Sequence, residues 1–411
     1  MTTANSTPGG RAADATQTTI IQANAASSED AAPAASEPKS TKAAPLSLAV
    51  SHTVPLPPLP PPPGHVLIRV LAAALNPNDF KMPTYMPDPG ATAGCDYCGV
   101  IVATSPVDDG DDNSHGYKEG DRICGFIFAY DPARPLDGSF AQFTLVDARL
   151  AVRVPADWTD TQAAALGGVG WTTAALALWG DGMLALKGRP SRPVTGAESE
   201  PVLVYGGATA SGTMALQLLN LSGYKPIAIT SPVSASLARQ YGATGTASYL
   251  SASIVEEARQ AATTAGGGGG GGSTQIRHAL DCITSAESWA VCMGAIARRG
   301  GRYACLEVPD ASWPGARKAV RTGVVMAYEA TGRTVDYGAE SAYTRPASAA
   351  SYALAVEVVA EMQALIDGGR VLPHPVRELK GGWDGILSGV EMLRSGKVSG
   401  EKLVVRIPQA P

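Results

Sequence analysis

The chain has 411 residues, which is long enough for two domains of ordinary size. Hydrophobic residues make up 45% of it and charged residues 17%, a balance that excludes a wholly disordered protein. The formal net charge of −5 provides no general attraction to nucleic acid or to an anionic membrane. No apolar run has the length of a membrane span, and the six cysteines do not form a secreted disulfide pattern. We therefore expect a globular protein that binds neither nucleic acid nor membrane.

The first 44 residues are rich in Ala, Ser and Thr and carry no aromatic side chain. Such a segment cannot bury enough apolar surface to offset the entropy of ordering, so residues 1–44 are predicted to be a disordered tail. It lacks the basic and apolar regions of a secretory signal. Glu29, Asp30 and the single arginine, Arg11, argue against an organelle transit peptide. A cytoplasmic location is expected.

Short β-type segments, separated by Gly, Pro and Asp turns, follow this tail. They are Val66–Leu71, Gly99–Val102, Arg122–Gly125 and Phe140–Val146. They predict a mostly antiparallel β-domain. The closing segments Tyr352–Gly368, Trp383–Arg394 and Lys402–Ile407 are predicted to return to it, so that residues 45–165 and 350–411 form one discontinuous domain.

Residues 166–349 alternate between strand and helix, after a helical stretch at Asp160–Trp179 that Gly167, Gly168 and Gly170 interrupt. The predicted strands are Pro201–Tyr205, Pro226–Thr230, His278–Ile283 and Gly301–Leu306, and the helices are Ala210–Leu221, Ala235–Tyr241 and one around Trp289–Ala297. This spacing is typical of a doubly wound parallel sheet, so the predicted fold class is α/β with a Rossmann domain. A Gly-rich insertion at 265–274 is predicted to be flexible and to carry no chemistry.

The strongest functional motif is the turn that follows the strand Pro201–Tyr205. Its residues are Gly206, Gly207, Ala208, Thr209, Ala210, Ser211 and Gly212. Small residues let the backbone approach a pyrophosphate, and the first amides of the following helix bind its charge. Because the required strand, helix and next strand are all present, a dinucleotide site is favoured over a tight turn without a ligand.

The choice between NADH and NADPH is argued from charge. NAD enzymes usually carry an acidic residue roughly 20 positions further on, at the end of the second strand. Here that strand ends in Thr230, Ser231, Pro232 and Val233, and no acidic residue lies between Glu200 and Glu256. No carboxylate would repel a 2′-phosphate, and Ser231, Arg239 and Tyr249 could supply donors. NADPH is therefore favoured.

Two further features are open to a structural or a chemical interpretation. Cys95-Asp96-Tyr97-Cys98 is a CxxC motif, but no second cysteine pair or His partner stands at zinc spacing, so no metal site is predicted. Lys81 lies in the segment Leu75–Met82, directly after the strand predicted over Val66–Ala74. On the residues alone, a solvated surface charge is the favoured interpretation.

Several motifs together resemble the medium-chain dehydrogenase/reductase superfamily. They are Asn76-Pro77-Asn78-Asp79, Gly94–Val100, Gly120-Asp121-Arg122, Gly138–Gln142 and the nucleotide fold. Within it the chain is similar to a zinc-free group, the trans-acting enoyl reductases of fungal polyketide synthases of the lovastatin type. Tyr-Gly-Gly-x-Thr-Ala at 205–210 and Leu-Asp-Cys-Ile-Thr at 280–284 carry this resemblance, which covers residues 45–410.

The resemblance implies a GroES-like β-domain that binds substrate, and an enzyme of secondary metabolism. This enzyme would transfer hydride from NADPH to an α,β-unsaturated polyketide thioester on an acyl carrier domain of a partner polyketide synthase. The resemblance also implies a monomer. Six basic residues from Arg298 to Arg321 could meet an acidic carrier domain, or form a solvated face. Two alternatives stay open: a free-standing NADPH quinone or enone oxidoreductase, and a non-catalytic NADPH-binding protein.

The resemblance also implies roles for individual positions. Cofactor contacts would come from Asn78, Asp79, Phe80, Lys81, Ala208, Thr209, Ala210, Ser211, Thr230, Ser231, Pro232, Val233, Tyr249, Leu306, Glu307, Gly400 and Glu401. The substrate channel would be lined by Leu166, Gly167, Gly168, Val169, Gly170, Trp171, Thr172, Thr173, Thr322, Gly323, Val324, Val325 and Met326. The bulk of Trp171 bears on substrate size. A catalytic role becomes the better hypothesis for Lys81, and Thr173 is a second candidate donor.

Overall fold

The computed structural model describes residues 15–23, 46–105, 116–267 and 274–409. The strands are β1 Thr16–Gln22, β2 Leu48–Pro55, β3 His65–Ala74, β4 Asp96–Thr104, β5 Arg122–Phe126, β6 Phe143–Asp147, β7 Ala151–Arg153, β8 Pro201–Tyr205, β9 Lys225–Thr230, β10 Gly245–Ser248, β11 His278–Asp281, β12 Gly301–Cys305, β13 Val320–Val324, β14 Val376–Leu379 and β15 Lys402–Arg406. The helices are α1 Asn78–Tyr85, α2 Asp160–Leu166, α3 Val169–Trp179, α4 Ala210–Leu221, α5 Ala235–Gln240, α6 Ile254–Gly266, α7 Ala286–Ala295, α8 Ala349–Asp367 and α9 Trp383–Arg394.

A seven-stranded, mostly antiparallel sheet forms the first domain. Its order is β14-β15-β3-β4-β5-β7, and β6 also pairs with β3. The closing strand β15 lies antiparallel to β3, with Val404 opposite Ala74. Strands from both parts of the predicted discontinuous domain therefore share one sheet.

A strand precedes this domain where a disordered tail was predicted. Thr16–Gln22 pairs antiparallel with β2, and the amide of Ile20 also donates to the carbonyl oxygen of Phe140 at 2.8 Å. The prediction for residues 1–44 is wrong for this stretch, because Ile20 is fully buried and tertiary pairing satisfies the backbone. Residues 1–14 and 24–44 lie outside the described residues.

A six-stranded parallel sheet forms the second domain, in the order β10-β9-β8-β11-β12-β13. The chain moves outward on one side of β8 and returns on the other, so β8 and β11 flank the point where the strand order reverses. Ligands of doubly wound folds bind outside the carboxyl ends of the strands at that point. The predicted fold class is confirmed, and it places the crevice after Tyr205. Most of the predicted Gly-rich insertion, residues 268–273, lies outside the described residues.

Helix α3 connects the two domains. The helical stretch predicted over Asp160–Trp179 is two helices, α2 and α3, broken at Gly167 and Gly168. A Cβ on Gly167 would lie 2.4 Å from the Asp96 carboxylate, so the chain can pass there only as glycine. From Trp171 to Trp179 every residue of α3 is buried, because the helix packs against both α4 and α8.

Helix α8 is long and apolar enough to cross a membrane by length and composition, with a mean hydropathy of 1.4. These two criteria alone are weak support for a membrane span, because core helices meet them as well. Its buried residues lie three or four positions apart at Ala355, Val358, Met362 and Leu365, with Ile366 beside the last. This spacing is typical of an amphipathic helix that packs against a protein core.

Candidate active site

The turn after β8 is held in shape by its own backbone. Gly206 has a φ of 77°, and the amides of Gly206 and Gly207 both donate to the carbonyl oxygen of Ile229, at 3.1 and 3.0 Å. The Thr209 hydroxyl accepts a hydrogen bond from the Gly212 amide at 3.0 Å and so caps the amino end of α4. A Cβ on Gly212 would lie 2.2 Å from the Gly206 carbonyl oxygen, so this close approach requires glycine.

These residues fit the pyrophosphate of a dinucleotide. Ala208, Thr209, Ala210 and Ser211 are all partly exposed at the crevice. The first amides of a helix have no intrahelical acceptor, and the helix dipole adds partial positive charge to them. The predicted substrate segment adjoins this turn, since a Cβ on Gly170 would lie 3.7 Å from the Ala210 carbonyl oxygen. The amino ends of α3 and α4 therefore border one crevice.

The turn after β11 forms the facing wall. The buried Asp281 carboxylate accepts hydrogen bonds from the amides of Ile283 and Thr284, each at 2.9 Å, and from the Tyr303 hydroxyl at 2.9 Å. It holds Thr284 at a φ of 57°, an uncommon conformation for a β-branched residue. Ile283 stays 45% exposed and lies beside Gly206. The sequence pattern at 280–284 marked this turn, but it gave no indication that Asp281 shapes it.

The corner after β9 carries no carboxylate of its own. Thr230 is buried and its carbonyl oxygen accepts from the Tyr249 amide at 3.2 Å, while Val233 is 88% exposed. The Ser231 hydroxyl donates to that of Ser234 at 2.9 Å. Arg239, one of the predicted donors, donates a hydrogen bond from its guanidinium to the Thr246 hydroxyl at 2.8 Å.

The predicted C-terminal contacts border the same corner. A Cβ on Gly400 would lie 3.4 Å from the Leu237 side chain of α5. The neighbouring Glu401 is exposed, and its carboxylate lies 3.9 Å from the Arg377 guanidinium. The last predicted cofactor positions therefore come close to the helix that follows Pro232 and Val233.

Lys81 spans the crevice between the two domains. Its Nζ lies 2.6 Å from Oε1 of Glu307, which follows β12, and both side chains are 35% exposed. The Tyr343 hydroxyl donates to the other carboxylate oxygen of Glu307 at 2.8 Å. The structure thus brings together two residues that the sequence gave as separate cofactor contacts. Sequence reasoning missed Tyr343, since no motif surrounds it.

Asn78 makes a second contact between the domains. Its amide Nδ2 donates to the Tyr328 hydroxyl at 2.5 Å, and Tyr328 stacks on Phe128 with ring centroids 4.0 Å apart. The thiol of Cys95 lies 3.2 Å from the same hydroxyl, and burial raises the pKa of Cys95 above its ordinary range. Cys98 is also buried, so the CxxC motif consists of two buried thiols. Among the described residues, no group of three or more His, Cys, Asp or Glu side chains is placed to hold a metal ion.

Asp79 is fully buried, which leaves its side chain no surface for the predicted cofactor contact. Its carboxylate accepts hydrogen bonds from the Asn76 amide at 2.7 Å and the Tyr130 hydroxyl at 3.0 Å. Burial raises the pKa of Asp79 to about 7, against the opposing effect of these bonds. In this structure Asp79 binds the backbone before α1 and so fixes the start of the helix that carries Lys81.

Wild-type stability is expected to fall as the pH rises, because of Asp79, and Asp79→Asn is expected to abolish this fall. The unfolded chain releases this proton near pH 4 and the folded chain holds it to about pH 7, so the folded state becomes less stable across that window, by about 1.4 kcal/mol per pH unit. Urea unfolding at several pH values measures the difference between variant and wild type. This difference should grow from pH 4 to 7 and then level off. A difference that stays constant over the window would contradict the assignment.

A buried polar network lies beneath the crevice. Asp96 Oδ1 accepts from the amides of Gly168 and Val169, each at 2.8 Å, and thereby fixes the start of α3. Asp96 Oδ2 lies 2.9 Å from Lys402 Nζ and accepts from Asn76 Nδ2 at 3.0 Å. Lys402 also donates to Asn76 Oδ1 at 2.5 Å. The network joins β15, β4, α3 and the loop before α1.

The predicted substrate segments are only partly brought to the crevice. Trp171 is fully buried and its indole donates to the Gly167 carbonyl oxygen at 2.9 Å, so it contributes to the core rather than to an open channel. Thr173 is 6% exposed. The Thr172 hydroxyl is buried, and within the described ranges it has no hydrogen-bond partner.

The second predicted substrate segment, 322–326, divides in two. Gly323 lies within β13 against the Gly182 backbone, and Thr322 precedes it on the edge of the sheet. The Val325 amide donates to the carbonyl oxygen of Cys305 at 2.8 Å, which places Val324, Val325 and Met326 at the carboxyl end of the strands, near Glu307.

The basic stretch from Arg298 to Arg321 is partly structural. The Arg317 guanidinium donates to four backbone carbonyl oxygens at the end of α7, at 2.7 to 3.0 Å. Arg302 donates to those of Asp181 and Met183, each at 2.9 Å. Four of the six cations remain exposed: Arg298, Arg299, Lys318 and Arg321.

The class of protein follows from this two-domain fold and its crevice. Residues 62–156 match the alcohol dehydrogenase GroES-like domain family. The fold is similar to that of a putative zinc-dependent alcohol dehydrogenase from Rhizobium etli, at a TM-score of 0.68 and 22% identity over 96% of this chain and 99% of that one. It is also similar to the CurK enoyl reductase, at a TM-score of 0.62 and 17% identity over 88% and 96% of the two chains. The chain therefore has the two-domain fold of the medium-chain dehydrogenases/reductases.

Full-length relatives define the family within this class. The trans-enoyl reductase calK of Penicillium decumbens is 47% identical over 372 residues, which cover 90% of this chain and 96% of the relative. The trans-enoyl reductase sthE of Phaeosphaeria nodorum is 44% identical over 362 residues, 88% of this chain and 94% of the relative. The chain belongs to the trans-enoyl reductase family, and the resemblance inferred from its motifs is confirmed.

Proposed function

We propose that this protein reduces the α,β double bond of polyketide thioesters that are carried on an acyl carrier domain of a separate polyketide synthase, with NADPH as the reductant. The observation that carries the proposal is the crevice at the carboxyl ends of the parallel strands, where Lys81 of the first domain pairs with Glu307 of the second, in a chain 47% identical to a trans-enoyl reductase. A cytoplasmic location and a monomeric state stay predictions.

The chain's own residues would hold the cofactor in three places. The amides at the start of α4, from Ala208 to Ser211, suit the pyrophosphate. The corner from Thr230 to Val233, with Tyr249, suits the adenosine end, and its lack of a carboxylate favours a 2′-phosphate. Leu306 and Glu307 lie at the carboxyl end of β12, on the other side of the point where the strand order reverses. When bound, the nicotinamide supplies hydride to the β-carbon of the substrate.

Lys81 is proposed to act on the thioester oxygen. Hydride addition at the β-carbon places negative charge on that oxygen, and a donor aimed at it lowers the barrier. The resulting enolate takes a proton from water at its α-carbon, which completes the reduction of the double bond. Lys81 places a cation at the crevice, and its pairing with Glu307 keeps it there. The buried Thr172 and Thr173 hydroxyls lie close to the start of α3 and are further candidate donors. The buried network around Asp96 keeps the start of α3 in place.

Lys81→Ala is expected to lower kcat by roughly tenfold to a hundredfold, less than the loss of a fully buried donor because Lys81 is 35% exposed. The measurement is NADPH oxidation with a crotonyl-type thioester. Lys187→Ala is the matched control, since that lysine is 83% exposed and pairs with Glu198 at the surface. Unchanged turnover in Lys81→Ala would remove Lys81 from the mechanism.

The substrate class is tested by supplying the wild-type protein with three acceptors. These are an enoyl group on a carrier domain, the same group on a small thiol, and a soluble quinone, each with NADPH and with NADH. The proposal expects the highest kcat/KM with the carrier-bound enoyl group and NADPH. A preference for the quinone would favour a free-standing oxidoreductase. No cofactor oxidation with any acceptor would favour a non-catalytic binding protein.

A further inference from the structure

Glu307 uses both of its carboxylate oxygens. Oε1 is 2.6 Å from Lys81 Nζ, and Oε2 accepts a hydrogen bond from the Tyr343 hydroxyl at 2.8 Å. The same hydroxyl accepts from the amide of Val308 at 3.2 Å. Tyr343 therefore binds both the side chain of Glu307 and the backbone that follows it. One carboxylate oxygen of Glu307 thus meets Tyr343 and the other meets Lys81 of α1.

The loop that carries Tyr343 is itself closed. The backbones of Val335 and Arg345 exchange two hydrogen bonds, at 2.9 and 2.8 Å. The Thr344 hydroxyl donates to the Gly338 carbonyl oxygen at 2.7 Å. Burial raises the pKa of Tyr343 to about 12, so its hydroxyl keeps its proton and remains a donor at neutral pH.

Lys81 needs such support because of its own flexibility. A lysine side chain has four rotatable bonds and loses about 2 kcal/mol of rotamer entropy when it is held in one geometry. A half-exposed ion pair between two mobile side chains contributes little. A carboxylate that is already fixed removes part of this entropic cost, since only the lysine remains to be ordered.

We propose that Tyr343 is a positioning residue, which orients Glu307 so that its carboxylate holds the Lys81 ammonium at the crevice. The expected effect of Tyr343 on catalysis rests on the proposed function. The effect of Tyr343 on the accessibility of Lys81 does not depend on the reaction. The two effects can therefore be measured separately.

The direct test is the rate at which Lys81 is acylated by an amine-reactive reagent, followed by mass spectrometry of its peptide. Tyr343→Phe removes only the hydroxyl and is expected to raise the labelling rate of Lys81 severalfold, with Lys187 unchanged. Tyr337→Phe is the matched control, because that hydroxyl is buried in the same loop and has no partner within the described ranges. Equal labelling of Lys81 in wild type and Tyr343→Phe would overturn the proposal.

Kinetics then test whether the positioning matters to the reaction. Tyr343→Phe is expected to lower kcat about tenfold, the loss of one hydrogen bond to a charged group. In a Lys81→Met background the same change should have almost no effect, because it acts through Lys81. Equal losses in both backgrounds would contradict the proposal. Faster labelling without a loss of kcat would support the positioning role of Tyr343 and would remove Lys81 from the mechanism.

Discussion

Lys402→Met is expected to destabilise the protein by about 3–5 kcal/mol, because it leaves the Asp96 carboxylate buried without its cation. Lys402 is 5% exposed and Asp96 1%, so water cannot replace the lost partner. Asn76 also loses the donor to its side-chain oxygen. Urea unfolding, read by tryptophan fluorescence, measures the change.

Lys380→Met is the matched control. This lysine also lies 2.8 Å from a carboxylate, that of Glu378, but it is 86% exposed, and loss of such a pair costs at most about 1 kcal/mol. The double variant Lys402→Met with Asp96→Asn should be more stable than Lys402→Met alone, since no charge is then left buried. Equal effects at Lys402 and Lys380 would show that the buried network contributes no more than a surface pair.

The cofactor turn could be predicted from sequence because its determinants are local. Strand, glycines and helix lie between residues 201 and 221, and each requirement is set by neighbours a few positions away. The break between α2 and α3 was likewise marked by its glycines. Its cause is the close approach of Asp96, which lies 72 positions before Gly168 and leaves no local trace in the sequence.

The electrostatic groups of the site could not be predicted in the same way. Lys402 and Asn76 are 326 positions apart, and Lys81 and Glu307 are 226 apart. A family resemblance can mark such residues one at a time, but it does not say which ones pair. For this reason Tyr343 was missed, and Asp79 was expected at the cofactor although its carboxylate is buried.

Composition also misled where tertiary pairing decides the outcome. Thr16–Gln22 lies in an Ala/Ser/Thr-rich stretch, yet four of its seven residues are buried, and its backbone pairs with β2 and with Phe140. Trp171 suggested a bulky channel wall, but its indole donates to the Gly167 carbonyl oxygen just before α3 and packs inward. Side-chain size in a sequence therefore bears on the substrate only once the direction of the side chain is known.

Gly212→Ala is expected to weaken NADPH binding on the order of a thousandfold, about 4 kcal/mol. The added Cβ would lie 2.2 Å from the Gly206 carbonyl oxygen and 3.0 Å from its carbonyl carbon, so backbone must move and the start of α4 with it. Cofactor fluorescence titration gives the Kd, and thermal unfolding with and without NADPH gives an independent measure. Gly182→Ala is the matched control, since a Cβ there would meet no atom within 4 Å. An unchanged Kd in Gly212→Ala would mean that the cofactor does not bind at this turn, and the proposed function would lose its starting point.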